Sequence, residues 1–379
     1  MKPTCIAEYR EAARRRLPRV LFDYIDGGSY AERTLAANID DFADIRLRQR
    51  VLKDVSKLAV SAELFGQTLA MPVVLSPIGL AGMYARRGEV QAARAAAAAG
   101  VPFSLSTMGV ADVAEVARAA PAPWYQLYMI RDRGFMAELM ARVREAGCPV
   151  LLFTVDLPVP GARYRDARNG MIADTMTARA RQALDGLAHP EWLWDVQIKG
   201  GPHALGNLAG AGEGLSSITQ FWGWIGRQFD ASISWKDIDW VRDRWPGPMV
   251  LKGVLDVEDA RAARSCGAEG IVVSNHGGRQ LDSAPSSISV LGPIAEAVGE
   301  DLTVLMDGGV RSGLDVLKAL SLGAKACLIG RAWAYALGGG GEAGVAHMLA
   351  LMRQELRMAM AMTGCTDVRQ AGPELLASV

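Results

Sequence analysis

The stretch SNHGGRQLD, residues 274–282, contains the residue types whose spacing is best suited to chemistry. His276 precedes two glycines, and Arg279 follows three residues later across that flexible turn. Histidine can act as a general base near neutral pH, and an arginine can bind a carboxylate with two parallel hydrogen bonds. A histidine by itself is usually structural, so the neighbouring arginine is what favours a catalytic role. Together they predict removal of a proton from a small 2-hydroxy acid.

Three further charged residues can serve the same chemistry. Asp156 ends the apolar run FTVD and can hold an imidazole in one tautomer, while Arg163 can add a second grip on a carboxylate. Lys252 lies within the apolar run MVLKGV, where a buried lysine is costly unless an anion accompanies it. Three interpretations of Lys252 stay open: a cation beside a reduced flavin, a Schiff-base lysine, and a structural ion pair.

Two glycine-rich segments near the end of the chain predict a phosphate site. The first is DGGVR, residues 307–311, and the second is Gly330 with Arg331. Glycines let backbone N–H groups approach an anion closely, and a following helix start adds a favourable dipole. Turn glycines beside surface arginines are the plain alternative. The segments indicate a phosphate without identifying the ligand that carries it.

The elements that must position these residues follow a repeating pattern. Eight short apolar runs alternate with helical stretches, as expected for strands buried on both faces of a parallel sheet. The runs are Met71–Ser76, Val101–Ser106, Trp124–Tyr128, Val150–Asp156, Met249–Val254, Gly270–Asn275, Thr303–Asp307 and Ala326–Gly330. Eight strand–helix units predict a closed (β/α)8 TIM barrel. An open doubly wound sheet is the competitor, which the strand count and the missing GxGxxG disfavour.

Polar or ionisable residues stand at the carboxyl end of every predicted strand. Because these ends meet at one face of a barrel, the pattern predicts a site that holds a cofactor and a small substrate. The residues are Ser76, Ser106, Thr107, Gln126, Tyr128, Thr154, Asp156, Lys252, His276, Asp307 and Arg331.

Two segments fall outside the repeat within what we interpret as a single domain, residues 1–379. Residues 1–69 form a helical leader, residues 70–156 and 234–362 form the barrel, and residues 157–233 form a long insertion after the fourth strand. Seven of the nine tryptophans lie within residues 192–245. From composition alone, a lid packed on the barrel is favoured over a surface that dips into a membrane interface.

Composition excludes several classes of protein. The chain of 379 residues has 41 Lys and Arg against 41 Asp and Glu, so a nucleic-acid partner is not expected. Five cysteines, odd in number and without a CxxC pair, predict neither disulfides nor a bound metal and fit a reducing compartment. No signal sequence or membrane-spanning run of residues is expected.

These motifs resemble the FMN-dependent 2-hydroxy acid dehydrogenases and oxidases, the family of glycolate oxidase, lactate oxidase and mandelate dehydrogenase. The likeness covers nearly the whole chain, and SNHGGRQLD is its most specific marker. Support comes from YQLY at 125–128, FTVD at 153–156, PGARYRD at 160–166 and the two phosphate segments. The segments at 75–89, 131–136 and 233–240 are most similar to the bacterial respiratory L-lactate dehydrogenases.

The resemblance implies a role for each matching residue. It implies a base, His276, its partner Asp156, and four groups that contact the substrate's carboxylate or hydroxyl, namely Arg279, Arg163, Tyr24 and Tyr128. The flavin ring of FMN would be held by Pro77, Ile78, Gly79, Ser106, Gln126, Thr154 and Lys252. The ribityl chain and phosphate would be held by Asp307, Gly308, Gly309, Arg311, Gly330 and Arg331.

The same resemblance implies oxidation of L-lactate to pyruvate, with electrons passed to quinone or another acceptor. It raises the expectation that the insertion contacts a membrane, which would place the protein peripherally on the cytoplasmic face of the bacterial inner membrane. A homotetramer is expected on the same ground. The alternatives are a dehydrogenase of mandelate or another 2-hydroxy acid, an oxidase that uses oxygen, and a flavin-free barrel isomerase with the same phosphate loops. A non-catalytic membrane scaffold would explain the tryptophans but not the polar strand ends.

Overall fold

The computed structural model describes residues 2–172, 175–201, 203–209, 224 and 227–377. Its first part is a leader of three helices, α1 (Ile6–Arg16), α2 (Arg19–Asp26) and α3 (Arg33–Asp44). The leader then ends in an antiparallel hairpin, β1 (Ala62–Leu64) and β2 (Gln67–Leu69). The expectation of a helical leader therefore describes it only as far as Asp44.

Eight parallel strands form the next sheet, with neighbours in the order β3-β10-β9-β8-β7-β6-β5-β4. The strands are β3 (Val73–Leu75), β4 (Ser104–Ser106), β5 (Trp124–Leu127), β6 (Leu151–Thr154), β7 (Met249–Val254), β8 (Gly270–Val273), β9 (Thr303–Met306) and β10 (Ala326–Ile329). A parallel bridge between Leu75 and Phe103 joins β3 to the segment that enters β4. This bridge closes the sheet, and the predicted (β/α)8 barrel is confirmed.

Helices surround the barrel and connect its strands. In chain order they are α4 (Gly88–Ala99), α5 (Val113–Ala119), α6 (Arg133–Glu145), α7 (Tyr164–Arg168), α8 (Met176–Leu187), α9 (Pro190–Trp192), α10 (Lys236–Arg242), α11 (Val257–Ser265), α12 (Ser287–Val298), α13 (Gly313–Ser321) and α14 (Arg331–Thr363). Several begin at side-chain caps: Asp132 accepts from the Phe135 amide and Ser312 from the Asp315 amide. Such caps satisfy N–H groups that have no partner inside the helix.

The barrel interior is divided into two layers. Towards the amino ends of the strands, residues of seven strands pack with Leu64 and Leu69 of the hairpin in one apolar cluster. The strand residues of this cluster include Val74, Trp124, Leu152, Val250, Val272, Leu305 and Leu328. Side chains alternate between the two faces of a strand, so the next inward position lies two residues further on. Those positions are Ser76, Gln126, Thr154, Lys252, Ser274, Asp307 and Gly330.

The insertion contains α7, α8, α9 and a π-helical turn, Leu193–Ile198. Trp192 is buried, and its indole N–H donates to the Met83 carbonyl at 2.8 Å. Trp194 is 55% exposed, and Trp222 lies outside the described residues. Within the described part of the chain, no helix combines the length and apolarity needed to cross a membrane.

Candidate active site

His276 and Asp156 form the centre of the polar end of the barrel. His276 follows β8 in a left-handed conformation with φ of 57°, and its Nδ1 lies 2.9 Å from Asp156 Oδ1. Burial alone would raise the pKa of Asp156, but His276 and Lys252 outweigh that effect and lower it. Gly253, in a bulge of β7, is required here because a side chain there would place Cβ 2.5 Å from Asp156 Cγ.

Two arginines and one tyrosine form the wall beside this pair. The guanidinium of Arg279 lies 4.7 Å from the centre of the Tyr24 ring, and that of Arg163 lies 5.8 Å from it. Burial, together with the charge of Arg279, lowers the pKa of Arg163. Its Nη1 lies 3.9 Å from Asp166 Oδ2, and its Nε has no hydrogen-bond partner among the described residues. Two buried cations near each other repel unless an anion lies between them. This wall is therefore suited to a small carboxylate.

Lys252 is buried at the bottom of the pocket and has two polar partners there. Its Nζ donates to Ser274 Oγ at 2.9 Å and pairs with Asp307 Oδ2 at 2.9 Å. Burial would lower the pKa of Lys252, but the carboxylates of Asp307 and Asp156 raise it, so the lysine stays charged. This geometry excludes a free amine ready to form a Schiff base, while the functional and structural interpretations both remain compatible with it.

A chain of hydrogen bonds crosses the ends of β4, β5 and β6. Ser106 Oγ donates to Gln126 Oε1, and Gln126 Nε2 donates to Thr154 Oγ1, each at 3.0 Å. All three side chains are buried. Tyr128 follows on the same side with its ring centre 5.2 Å from that of Phe229, and burial raises its pKa well above the usual range. The chain fixes which amide and hydroxyl groups face the pocket.

The two glycine-rich segments lie side by side at the ends of β9 and β10. Gly308 and Gly309 have φ of 95° and 87°, and a Cβ on Gly309 would lie 1.7 Å from the Asn38 carbonyl oxygen. Arg331 donates to the carbonyls of Ile25, Gly27 and Gly277. Burial, with the nearby charges of Arg279 and Arg311, lowers the pKa of Arg331 to about 9. A buried cation whose hydrogen bonds, within the part of the chain that the structure describes, all go to carbonyl groups favours an added anion such as a phosphate.

One pocket brings most of the predicted residues together. It is lined by Tyr24, Ile25, Ser76, Pro77, Ile78, Tyr84, Lys252, His276, Gly277, Arg279, Asp307, Gly308, Gly309, Val310, Arg311, Leu328, Gly330 and Arg331. Thr154 and Tyr128 line a small adjoining cavity. Gly79 lies at the rim, where a Cβ would come within 3.4 Å of the Tyr24 hydroxyl. The other predicted residues, Ser106, Gln126, Asp156 and Arg163, support these walls through the contacts given above.

The pocket contains an unsatisfied polar group of the kind that FMN would satisfy. The Oδ1 atom of Asp307 is buried and has no partner within the described residues, although Oδ2 is held by Lys252. A buried carboxylate oxygen of this kind requires a donor, and the hydroxyl groups of a ribityl chain are donors. At Gly330 a Cβ would meet nothing closer than 4.0 Å, so the backbone is open to a ligand. The residues present fit FMN.

Sequence reasoning missed residues that hold the loops in register. Asn38 of α3 and Asn275 exchange two amide hydrogen bonds, each 2.8 Å long. Gln280 donates to the carbonyls of Asp156 and Val159 and accepts from the Gly161 amide. Asn275 and Gln280 lie inside SNHGGRQLD and could have been chosen there, whereas Asn38 is 237 residues away in the leader and had no local signal.

Comparison with known proteins agrees with this geometry. The model of the family described as FMN-dependent dehydrogenase matches residues 13–378. The chain is 60% identical to the L-lactate dehydrogenase of Caulobacter sp. (strain K31), covering 98% of this chain and 97% of that protein. It is 55% identical to the L-lactate dehydrogenase of Chromohalobacter salexigens, covering 97% of this chain and 94% of that protein.

Solved structures show the same architecture. The monotopic membrane protein (S)-mandelate dehydrogenase superposes with a TM-score of 0.94 at 36% identity, covering 100% of both chains. A mandelate oxidase superposes with a TM-score of 0.84 at 37% identity, covering 99% of this chain and 98% of that chain. Sequence and structure thus agree over essentially the whole length, and the chain belongs to the FMN-dependent dehydrogenase family.

Proposed function

We propose that this protein oxidises L-lactate to pyruvate and passes the electrons on through bound FMN. The observation that carries the proposal is the position of the His276–Asp156 pair beside the buried Arg279, Arg163 and Tyr24 wall. A base next to a carboxylate-binding wall fits a 2-hydroxy acid. The two relatives compared above that carry the name L-lactate dehydrogenase match over 97% and 94% of their length.

In this proposal His276 is the base. Asp156 accepts a hydrogen bond from the Nδ1–H group, which leaves Nε2 unprotonated and able to take the proton of the substrate hydroxyl. The negative charge of Asp156 then stabilises the imidazolium that forms. Arg279 and Arg163 bind the substrate carboxylate, and Tyr24 and Tyr128 orient the substrate by contacts to its oxygens.

FMN, when bound, would supply the acceptor for the substrate's α-hydrogen together with the two electrons of the C–H bond that breaks. We assign its ring to Pro77, Ile78, Gly79, Ser106, Gln126, Thr154 and Lys252. Its ribityl chain and phosphate are assigned to Asp307, Gly308, Gly309, Arg311, Gly330 and Arg331. The charged Lys252 would stabilise negative charge on the ring. Arg331 gains a counter-charge from the phosphate.

A second candidate is mandelate oxidation, because the two solved structures compared above act on or are named for mandelate. The pocket is compatible with either acid at its carboxylate end. The choice between lactate and mandelate depends on the space around the substrate's third carbon. Ala81 and Met83 are the residues that we expect to line that space. Both are buried in a 3-10 turn after β3. Identity of 60% with a lactate enzyme, against 36% with the mandelate enzyme, favours lactate.

We further propose that the insertion contacts the cytoplasmic face of a bacterial inner membrane and that quinone accepts the electrons. Support comes from exposed apolar residues that follow one another along the insertion: Ile172, Met176, Leu184, Leu187, Trp194 and Ile198. Amphipathic helices with such residues lie in a membrane interface. The structural neighbour (S)-mandelate dehydrogenase is a monotopic membrane protein. A homotetramer and a single folded domain are proposed from the family resemblance.

Anaerobic titration tests the substrate assignment. The purified protein is expected to be yellow, and L-lactate should bleach the flavin absorbance within the mixing time of a spectrophotometer. Mandelate at the same concentration should bleach it much more slowly. If mandelate bleaches the flavin rapidly and L-lactate does not, the substrate is mandelate and the assignment of lactate is wrong. If the protein neither contains nor takes up FMN, the proposed function is wrong.

A further inference from the structure

We propose that a cleft between the leader and the insertion binds a phosphate group. The cleft has a volume of about 400 Å³ and is bordered by α2, α7 and α8. Four of its lining residues are arginines, Arg19, Arg165, Arg168 and Arg181. None of its lining residues lines the flavin pocket. This cleft is therefore separate from the site of oxidation.

Two of the four arginines are already neutralised within the fold. Arg165 donates from Nη1 to Asp26 at 2.7 Å and from Nη2 to Glu32. Arg19 pairs with Asp23, four residues later on the same helix, at 3.4 Å. These contacts fix the walls of the cleft. The other two arginines, Arg168 and Arg181, take no part in these contacts.

Arg168 and Arg181 face the cleft without an ion pair to any described residue. The cleft's other carboxylate, Asp185, accepts from the Arg19 backbone amide at 2.6 Å and lies 3.6 Å from His189 Nδ1. Apart from the arginines already paired, Arg168 and Arg181 stand against a single lining carboxylate, Asp185, which leaves a local excess of positive charge. Two guanidinium groups from different helices, Arg168 of α7 and Arg181 of α8, match an anion with several oxygens, and a phosphate provides them.

The phosphate group has two possible sources, a lipid headgroup and a free phosphate compound. The helix that carries Arg181 also carries the exposed apolar residues Met176, Leu184 and Leu187, which are 80%, 68% and 66% exposed. A basic cleft beside such residues suits a headgroup at a membrane surface. For that source the inference rests on the membrane contact in the proposed function. For a free phosphate compound it does not.

The test compares two double variants of the FMN-loaded enzyme that remove the same charge. Arg168→Gln with Arg181→Gln changes the cleft, and Arg261→Gln with Arg353→Gln changes exposed arginines on α11 and α14. Both should keep flavin absorbance and bleaching by L-lactate. Co-sedimentation with phosphatidylcholine vesicles, with and without phosphatidylglycerol, gives the lipid affinity. Calorimetric titration with inorganic phosphate gives the affinity for the free anion.

The cleft variant should bind phosphatidylglycerol vesicles about 30-fold more weakly than wild type, since each basic residue at an anionic surface contributes about 1 kcal/mol. The control should lose less than about threefold. Loss of inorganic phosphate binding in the cleft variant alone also supports the site and identifies a free phosphate compound as the source. If the cleft variant keeps wild-type affinity both for phosphatidylglycerol vesicles and for inorganic phosphate, the cleft is overturned. Wild-type protein that binds neither probe would also overturn it.

Discussion

The two layers inside the barrel differ in chemistry although they are only two residues apart along each strand. The layer at the amino ends consists of Val74, Trp124, Leu152, Val250, Val272, Leu305 and Leu328, sealed by the β1–β2 hairpin. The layer at the carboxyl ends includes Gln126, Thr154, Lys252 and Asp307, which bind one another. The same strands therefore supply a dry core at one end and a set of fixed polar groups at the other.

This difference shows how the fold separates stability from function. Apolar burial stabilises the lower layer by about 25 cal/mol per Å² removed from water. The upper layer buries a lysine, a carboxylate and an amide, Lys252, Asp307 and Gln126, which lowers stability unless every polar group has a partner. Changes in the lower layer should therefore alter unfolding, and changes in the upper layer should alter the reaction.

The largest effect is expected for Asp156→Asn. The amide cannot stabilise an imidazolium or hold Nδ1 protonated, so flavin reduction by L-lactate should slow on the order of 10³- to 10⁴-fold, as removal of a histidine's carboxylate does elsewhere. Stopped-flow absorbance at saturating L-lactate gives the rate. Asp259→Asn is the matched control, since Asp259 is an exposed carboxylate near Asp156 that is not bonded to His276. An Asp156→Asn rate within tenfold of wild type would be incompatible with this role.

A smaller effect, on stability alone, is expected for Leu152→Ala in the lower layer. Leu152 is fully buried, so the change should reduce the free energy of unfolding by about 2–5 kcal/mol. Urea unfolding followed by circular dichroism measures the loss. The rate of flavin reduction at 25 °C should stay within about threefold of wild type. A slow but fully stable variant would reverse the proposed division between the layers.

The smallest effect concerns Asp26, which ties the leader to the rest of the fold. Burial would raise the pKa of Asp26, but hydrogen bonds from Arg10, Tyr335 and Arg165 lower it to about 2. A carboxyl whose pKa is lower in the folded state stabilises the fold above its unfolded value near 4. That contribution, about 2 kcal/mol, is lost as the pH falls towards 2.

Asp26→Asn should therefore lower the free energy of unfolding at pH 7 by about 2 kcal/mol and weaken its dependence on pH between 4 and 2. Urea unfolding at a series of pH values measures both quantities. Activity at pH 7 should change little, because Asp26 lines no part of the flavin pocket. If the free energy of unfolding of the variant depends on pH between 4 and 2 as it does in the wild type, other carboxyl groups control acid unfolding.

The barrel and its polar end were predictable because both follow from short-range patterns. Apolar runs such as Val150–Asp156 mark strands buried on both faces, and their last residues point to one face by the geometry of parallel sheets. His276 with Arg279 and the DGGVR segment could be identified for the same reason, since each places its functional groups within a few residues.

The parts that could not be predicted depend on contacts between distant residues. The pairing of Asn38 with Asn275 spans 237 residues, and the β1–β2 hairpin has no long alternating pattern that would distinguish it from a loop. The engagement of Arg331 with the carbonyls of Ile25 and Gly27 likewise requires the leader to fold back over the barrel. A residue type indicates what a group can do, but only the tertiary fold decides which partner it has.

The central claim is that His276 removes the proton of a 2-hydroxy acid held by Arg279 at a bound flavin. The most direct test mixes His276→Gln with L-lactate under anaerobic conditions beside the wild type. We predict that the variant binds FMN normally but that its flavin bleaches on the order of 10³- to 10⁴-fold more slowly. A variant that bleaches as fast as the wild type would contradict the assignment of the base and the mechanism built on it.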